Sequence, residues 1–151
     1  RLSTADLELL YHAQLRITRV VEFGTPLQGF LSGEVPPPAC GARFDVHVEG
    51  RMSGPRLNGQ ITAVDHLRVR ADGRMELHIH GVVATDDGAT IAAYVDGSGR
   101  LDTTGKNVHL HEDVSLHCSD PRYLWVNSVS GWGRGMVDLD RMEVTIDTHV
   151  A

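Results

Sequence analysis

Arg74-Met75-Glu76-Leu77-His78-Ile79-His80-Gly81-Val82-Val83-Ala84-Thr85-Asp86-Asp87-Gly88-Ala89-Thr90-Ile91-Ala92-Ala93-Tyr94-Val95-Asp96-Gly97 is the stretch on which the fold turns. Met75, Leu77, Ile79 and Val83 alternate with Glu76, His78 and His80, the period of two that marks a strand with unlike faces. Asp86-Asp87-Gly88 reads as a tight turn, and beyond it Ile91, Ala93 and Val95 alternate with Tyr94 and Asp96. A three-residue loop sets His80 opposite Tyr94 and His78 opposite Asp96. One face of this hairpin then gathers two imidazoles, a phenol and a carboxylate within about 5–8 Å of one another.

The alternation continues on both sides. Phe44, Val46 and Val48 face away from Arg43, Asp45, His47 and Glu49; Gly54 to Gly59 is a turn; Ile61, Ala63, Leu67 and Val69 are the apolar set of a strand from Gln60 to Arg70. Downstream, Val108, Leu110 and Val114 alternate with His109 and His111. Tyr123 to Asn127 reads as a strand, Gly131 to Gly135 as a glycine-rich turn, and Arg141 to Val150 as the closing strand. Leu2 to Gln14 fits a helical period with Ser3 or Thr4 as cap, but it also fits the start of a strand from Leu7 through Val21, and the strand is preferred. Glu22 to Gly41 contains Pro36-Pro37-Pro38, a stiff run without donors that suits a loop over a barrel mouth. Short strands, turns about every ten residues and no long helix give an all-β class: an antiparallel closed barrel of about eight to ten strands with a central cavity. Residues 1–151 are read as a single domain.

Composition narrows the function classes. Lys+Arg is 14 against Asp+Glu 20, a net charge of -6 with His neutral, and Lys106 is the one lysine. That balance, with no basic cluster, argues against a nucleic-acid footprint or an anionic membrane surface. No apolar run approaches the roughly 18–20 residues of a membrane helix. Cys40 and Cys118 permit a disulfide without implying one, and their spacing fits no metal ribbon. Nothing resembles a signal peptide, and since the sequence opens at Arg1 the cytoplasmic expectation is a default. Nine histidines stand out for this length.

Gly54-Pro55-Arg56-Leu57-x-Gly59, the Asp65 that follows, Thr85-Asp86-Asp87-Gly88-Ala89-x-Ile91, and Tyr123-x-Trp125-x-Asn127 before the glycine-rich segment resemble the domain of unknown function 3237 family. The resemblance spans nearly the whole chain. It implies an antiparallel barrel with a central cavity, usually in a homo-oligomer, and no established activity. The chain departs from the family pattern by carrying histidine at positions 66, 78, 80 and 111, which suggests a specialised cavity.

If the polar face of the hairpin lines the lumen, its chemistry is general acid–base catalysis. A histidine in a partly dry cavity titrates near neutrality, and Asp65 or Asp96 would orient its ring. Tyr94 would supply a proton or hold an oxyanion. The expected catalytic set is therefore His78, His80, Tyr94, His111 and Asp65, with Arg56, His66, Trp125 and Asn127 as substrate contacts. Arg56 and Asn127 have competing roles in tying down their turns, and Trp125 in the core. His78-x-His80 and His109-x-His111 would make a transition-metal site only if their strands were neighbours. No Gly-x-Ser-x-Gly and no phosphate loop is present. The expectation is a cofactor-independent isomerase, cyclase or lyase acting on a small, partly apolar organic molecule, with no metal; a non-catalytic binding barrel is the alternative.

Overall fold

The computed structural model describes residues 7–151. Eight strands follow in order: β1 Glu8–Glu22, β2 Ala42–Ser53, β3 Gly59–Val69, β4 Met75–Thr85, β5 Thr90–Leu101, β6 Asn107–His117, β7 Ser130–Asp138 and β8 Glu143–Val150. Each pairs antiparallel with the next, and β8 pairs with β1 to close the barrel. The strand preferred at the N-terminal end is present; the Ser3 or Thr4 cap of the helical alternative lies outside the described residues. β4 and β5 pair as His78↔Asp96 and His80↔Tyr94, the expected register. Gly88 (φ 94) supplies the left-handed residue of their turn, and the Thr85 hydroxyl accepts from the Ala89 N–H at 2.7 Å.

The apolar phase of every strand turns inward, because only the lumen offers burial from water. Phe44, Met52, Val83 and Ile91 are fully buried there. In β1, Leu10 is an extra residue between the pairs Leu9↔His149 and Tyr11↔Thr148. This bulge lets the consecutive Leu10 and Tyr11 both be buried.

Two segments differ from the sequence reading. Tyr123 to Asn127 is not a strand: Pro121–Ser128 is a 3-10 helical segment. Pro121 suits a first turn, and the Asp120 carboxylate accepts from the Arg122 N–H at 3.0 Å, so the cap overrides the aromatic alternation. Gly131 to Gly135 is not a turn but part of β7, with Gly131, Gly133 and Gly135 opposite Val150, Thr148 and Ile146 of β8. Within the proline-rich connection, Leu27–Leu31 forms a short helix, α1. Phe30 of α1 packs at 6.4 Å between ring centroids on Phe44 and covers one mouth of the barrel. The 3-10 segment closes the other end, where Leu57 and Val126 are fully buried. No helix among the described residues is long and apolar enough to cross a membrane.

Candidate functional site

The hairpin histidines project to the outside. His78, His80, His111 and Tyr94 are all exposed, Tyr94 by 49 %. The lumen expected for them is lined by the opposite phase, since eight strands enclose a volume that apolar side chains fill. Outside, the side chains around His80 make a row to which His111, among the described residues, is not joined. His66 meets His80 edge-on at 5.9 Å, His80 meets Tyr94 at 5.2 Å, and His78 Nδ1 lies 3.3 Å from Asp96 Oδ1. His66 Nδ1 is 3.0 Å from Asp45 Oδ1. β5 separates β4 from β6, so the two His-x-His pairs are not on neighbouring strands. Among the described residues no group of three or more His, Cys, Asp or Glu side chains converges as a metal site would require.

Arg56, Trp125 and Asn127 lie at the closed end, away from the α1 mouth. Arg56 grips Glu8 through two nitrogens (3.0 and 3.3 Å) and stacks 4.0 Å above the Trp125 ring. Asn127 clamps the end of β6, donating to Cys118 O at 2.7 Å and accepting from Cys118 N at 3.1 Å. Asp87 accepts from the Tyr123 and Thr85 hydroxyls, both at 2.7 Å. The motifs that carry the family resemblance, Asp65 apart, therefore meet here as a brace.

The lumen contains a cavity of about 110 Å³ below α1. Leu27, Phe30 and Leu31 roof it, and aliphatic side chains such as Ile17, Val46, Leu77 and Leu110 form its walls. Two acidic residues, Asp65 of β3 and Glu112 of β6, are part of this otherwise apolar lining. Among the described residues they are the only charged side chains lining it.

Asp65 is held by the strand beside it. Its Oδ1 accepts from the backbone N–H of His78 at 3.0 Å, where the β3–β4 ladder skips from Asp65↔Ile79 to Arg68↔Glu76. Burial pushes this carboxyl up to about 6, against the stabilising His78 N–H and the nearby His78 and His66.

Glu112 sits between glycines, Gly97 on β5 and Gly133 on β7. A Cβ at Gly97 would meet His111 O at 2.0 Å, and one at Gly133 would lie 3.2 Å from Glu112 Oε1. Gly97 thus allows close approach of the β5 and β6 backbones, and Gly133 leaves room for a long acidic side chain that is only 5 % exposed. Burial, then the charge of Asp65, pushes the Glu112 carboxyl up to about 7. Its Oε2 has no hydrogen-bond partner among the described residues, and neither has the buried Thr148 Oγ1 on the same rung. Tyr11, opposite Thr148, is buried too, and burial and the Glu112 charge raise its phenol above the usual range.

Of the expected catalytic set, then, the structure brings only Asp65 to the cavity. Glu112 was not anticipated, although a signal exists: it interrupts the apolar phase Val108, Leu110, Val114, Leu116 as Asp65 interrupts Ile61, Ala63, Leu67, Val69.

Solved structures share this barrel. A β-barrel-like protein from Acinetobacter baumannii is 22 % identical with a TM-score of 0.77, covering 95 % of this chain and 94 % of that one. A protein of unknown function from Clostridium acetobutylicum is 17 % identical with a TM-score of 0.77, covering 96 % and 98 %. A structure described as an enzyme from Penicillium herquei is 19 % identical with a TM-score of 0.68, covering 96 % and 93 %. No curated protein matches in sequence. The family described as protein of unknown function (DUF3237) matches residues 38–151, the stretch that supplies seven of the eight strands and both cavity carboxyls, and the chain belongs to that family.

Proposed function

We propose that this barrel is a cofactor-independent acid–base enzyme, of the isomerase, cyclase or lyase kind, acting on a small, largely apolar organic molecule in the lumen. One observation carries the reading: two carboxyls stand in an otherwise apolar cavity, and one of them, Glu112, keeps an oxygen without a partner among the described residues. Buried polar groups are normally satisfied, and exceptions concentrate where chemistry is done. At neutral pH the carboxyl with the higher proton affinity, Glu112, is the donor, and Asp65 is the acceptor. A substrate proton would pass to Asp65 while the Glu112 O–H proton passes to the substrate oxygen; Asp65 then delivers its proton to a different carbon as the enol O–H returns its proton to Glu112, which restores both groups and the carbonyl. The Penicillium herquei relative described as an enzyme supports a catalytic reading of the fold.

The aliphatic lining also favours a second reading, a carrier that binds and releases without chemistry. Deuterium uptake from solvent into small ketones, followed by proton NMR, separates the two. Wild type should catalyse exchange, and Asp65→Asn and Glu112→Gln should each lower its rate by about 10²–10⁴-fold. Exchange that persists at the wild-type rate in both variants would remove the carboxyls from the mechanism. Binding without any exchange would assign the barrel to the carriers.

A further inference from the structure

Resting on that reading of the lumen, we propose that the cavity takes an uncharged, lipophilic small ring bearing a carbonyl oxygen that accepts from Glu112, and that it rejects carboxylates. Three observations lead there. First, the lining holds two acids and, among the described residues, no Arg, Lys or His. An anionic ligand would therefore enter a low-dielectric space beside the Asp65 carboxylate with no counterion, and charge placed so is strongly disfavoured.

Second, the unsatisfied group among the lining residues is Glu112 Oε2. Its burial and the neighbouring Asp65 favour the protonated acid, which has an O–H to give. The complement of that O–H is an acceptor oxygen, while Asp65, already engaged by the His78 N–H, faces the ligand as the carboxylate. An ammonium ion would pair with Asp65 but would leave the Glu112 O–H without an acceptor and would lose its own hydration in an apolar space.

Third, size is bounded. An engineered dry cavity of about 150 Å³ holds benzene, so a cavity of about 110 Å³ suits a five-membered ring with one oxygen while α1 stays seated. A larger substrate would have to displace Leu27, Phe30 and Leu31 from the mouth.

A matched series tests this: cyclopentanone, cyclopentylamine and cyclopentanecarboxylate, titrated at pH 7 with calorimetry and the NMR shifts of the Val108, Leu110 and Ile146 methyls. The ketone should bind with shifts at these methyls, and the amine and carboxylate should bind at least about tenfold more weakly, the scale set by one charge-assisted mismatch. Glu112→Leu should weaken the ketone by about fivefold, the worth of one net hydrogen bond, while Glu112→Gln keeps a donor and retains most of the affinity. Because the wild-type series decides alone, a variant that failed to fold would leave the test intact. Equal or tighter binding of the carboxylate or amine, or no binding of the ketone, overturns the proposal. The catalytic reading fails separately: a ketone that binds without exchanging its α-protons defeats catalysis and leaves the ligand class standing.

Discussion

Glu112 faces Gly133 across the β6–β7 ladder, and a Cβ at Gly133 would sit 3.2 Å from both Cβ and Oε1 of that glutamate. With Thr148 Oγ1 nearer still at 3.1 Å, an added methyl requires Glu112 and Thr148 to give by a few tenths of an ångström, and in a rung packed on both sides the cost is about 1–3 kcal/mol. Gly133→Ala should therefore lower the melting temperature by about 2–4 °C for each kcal/mol lost. Combining it with Glu112→Ala should recover part of the loss, because residues in contact do not add independently. Additive losses in calorimetry would show that the two positions do not compete for space.

The raised carboxyls fix the sign of the pH response. Asp65 moves from 3.8 to about 6 and Glu112 from 4.5 to about 7 on folding. Between these limits the unfolded chain has already released protons that the barrel still holds, so their contribution is full below about pH 4 and lost as pH rises to 7. Each unit of retained affinity is about 1.4 kcal/mol, giving a fall of a few kcal/mol. Thermal unfolding at pH 5 and pH 7.5 should show the wild type less stable at the higher value, and Asp65→Asn/Glu112→Gln nearly level. A double variant as pH-sensitive as wild type would place the titrating groups elsewhere.

Outer-face histidines should be expendable. His78→Ala, His80→Ala, His111→Ala and Tyr94→Phe alter exposed side chains, and surface changes of this kind stay within about 0.5 kcal/mol. Proton exchange on the true substrate should be unchanged in all four. A loss of tenfold or more in any one would move the chemistry to the outside of the barrel.

Asn127→Ala removes both hydrogen bonds to the Cys118 backbone. Leaving those groups unpaired should cost about 1–3 kcal/mol. Ketone affinity should hold, because the clamp and the cavity lie at opposite ends. A selective loss of binding with no change in melting temperature would argue that Asn127 reaches the ligand.

The barrel and the register of its central hairpin were legible because alternation and turn length together determine which residues face each other. His80↔Tyr94 and His78↔Asp96 follow from the Asp86-Asp87-Gly88 turn alone. What alternation leaves open is whether polar groups line a lumen or face water. Here burial of Leu77, Ile91 and Val114 decides, and it sends the histidines out. The site was half-hidden for a related reason. Clusters of histidine draw the eye, whereas a single Glu112 in an apolar phase looks like an error in the pattern. Gly131, Gly133 and Gly135 misled in the same way: glycine usually signals a turn, but in β7 it marks where neighbouring strands leave no room for a side chain.

The seam between β8 and β1 has a kinetic consequence. His12 Nδ1 meets Asp147 Oδ1 at 2.6 Å across 135 residues of sequence, so the first strand must wait for the last. Contacts this distant slow folding, because loop-closure entropy is lost before pairing compensates for it. Until the seam forms, β1 and the most recently paired strand each present an open edge to other chains. Truncation within β8 would leave those edges permanently unsealed, and the expected product is aggregate rather than a smaller barrel.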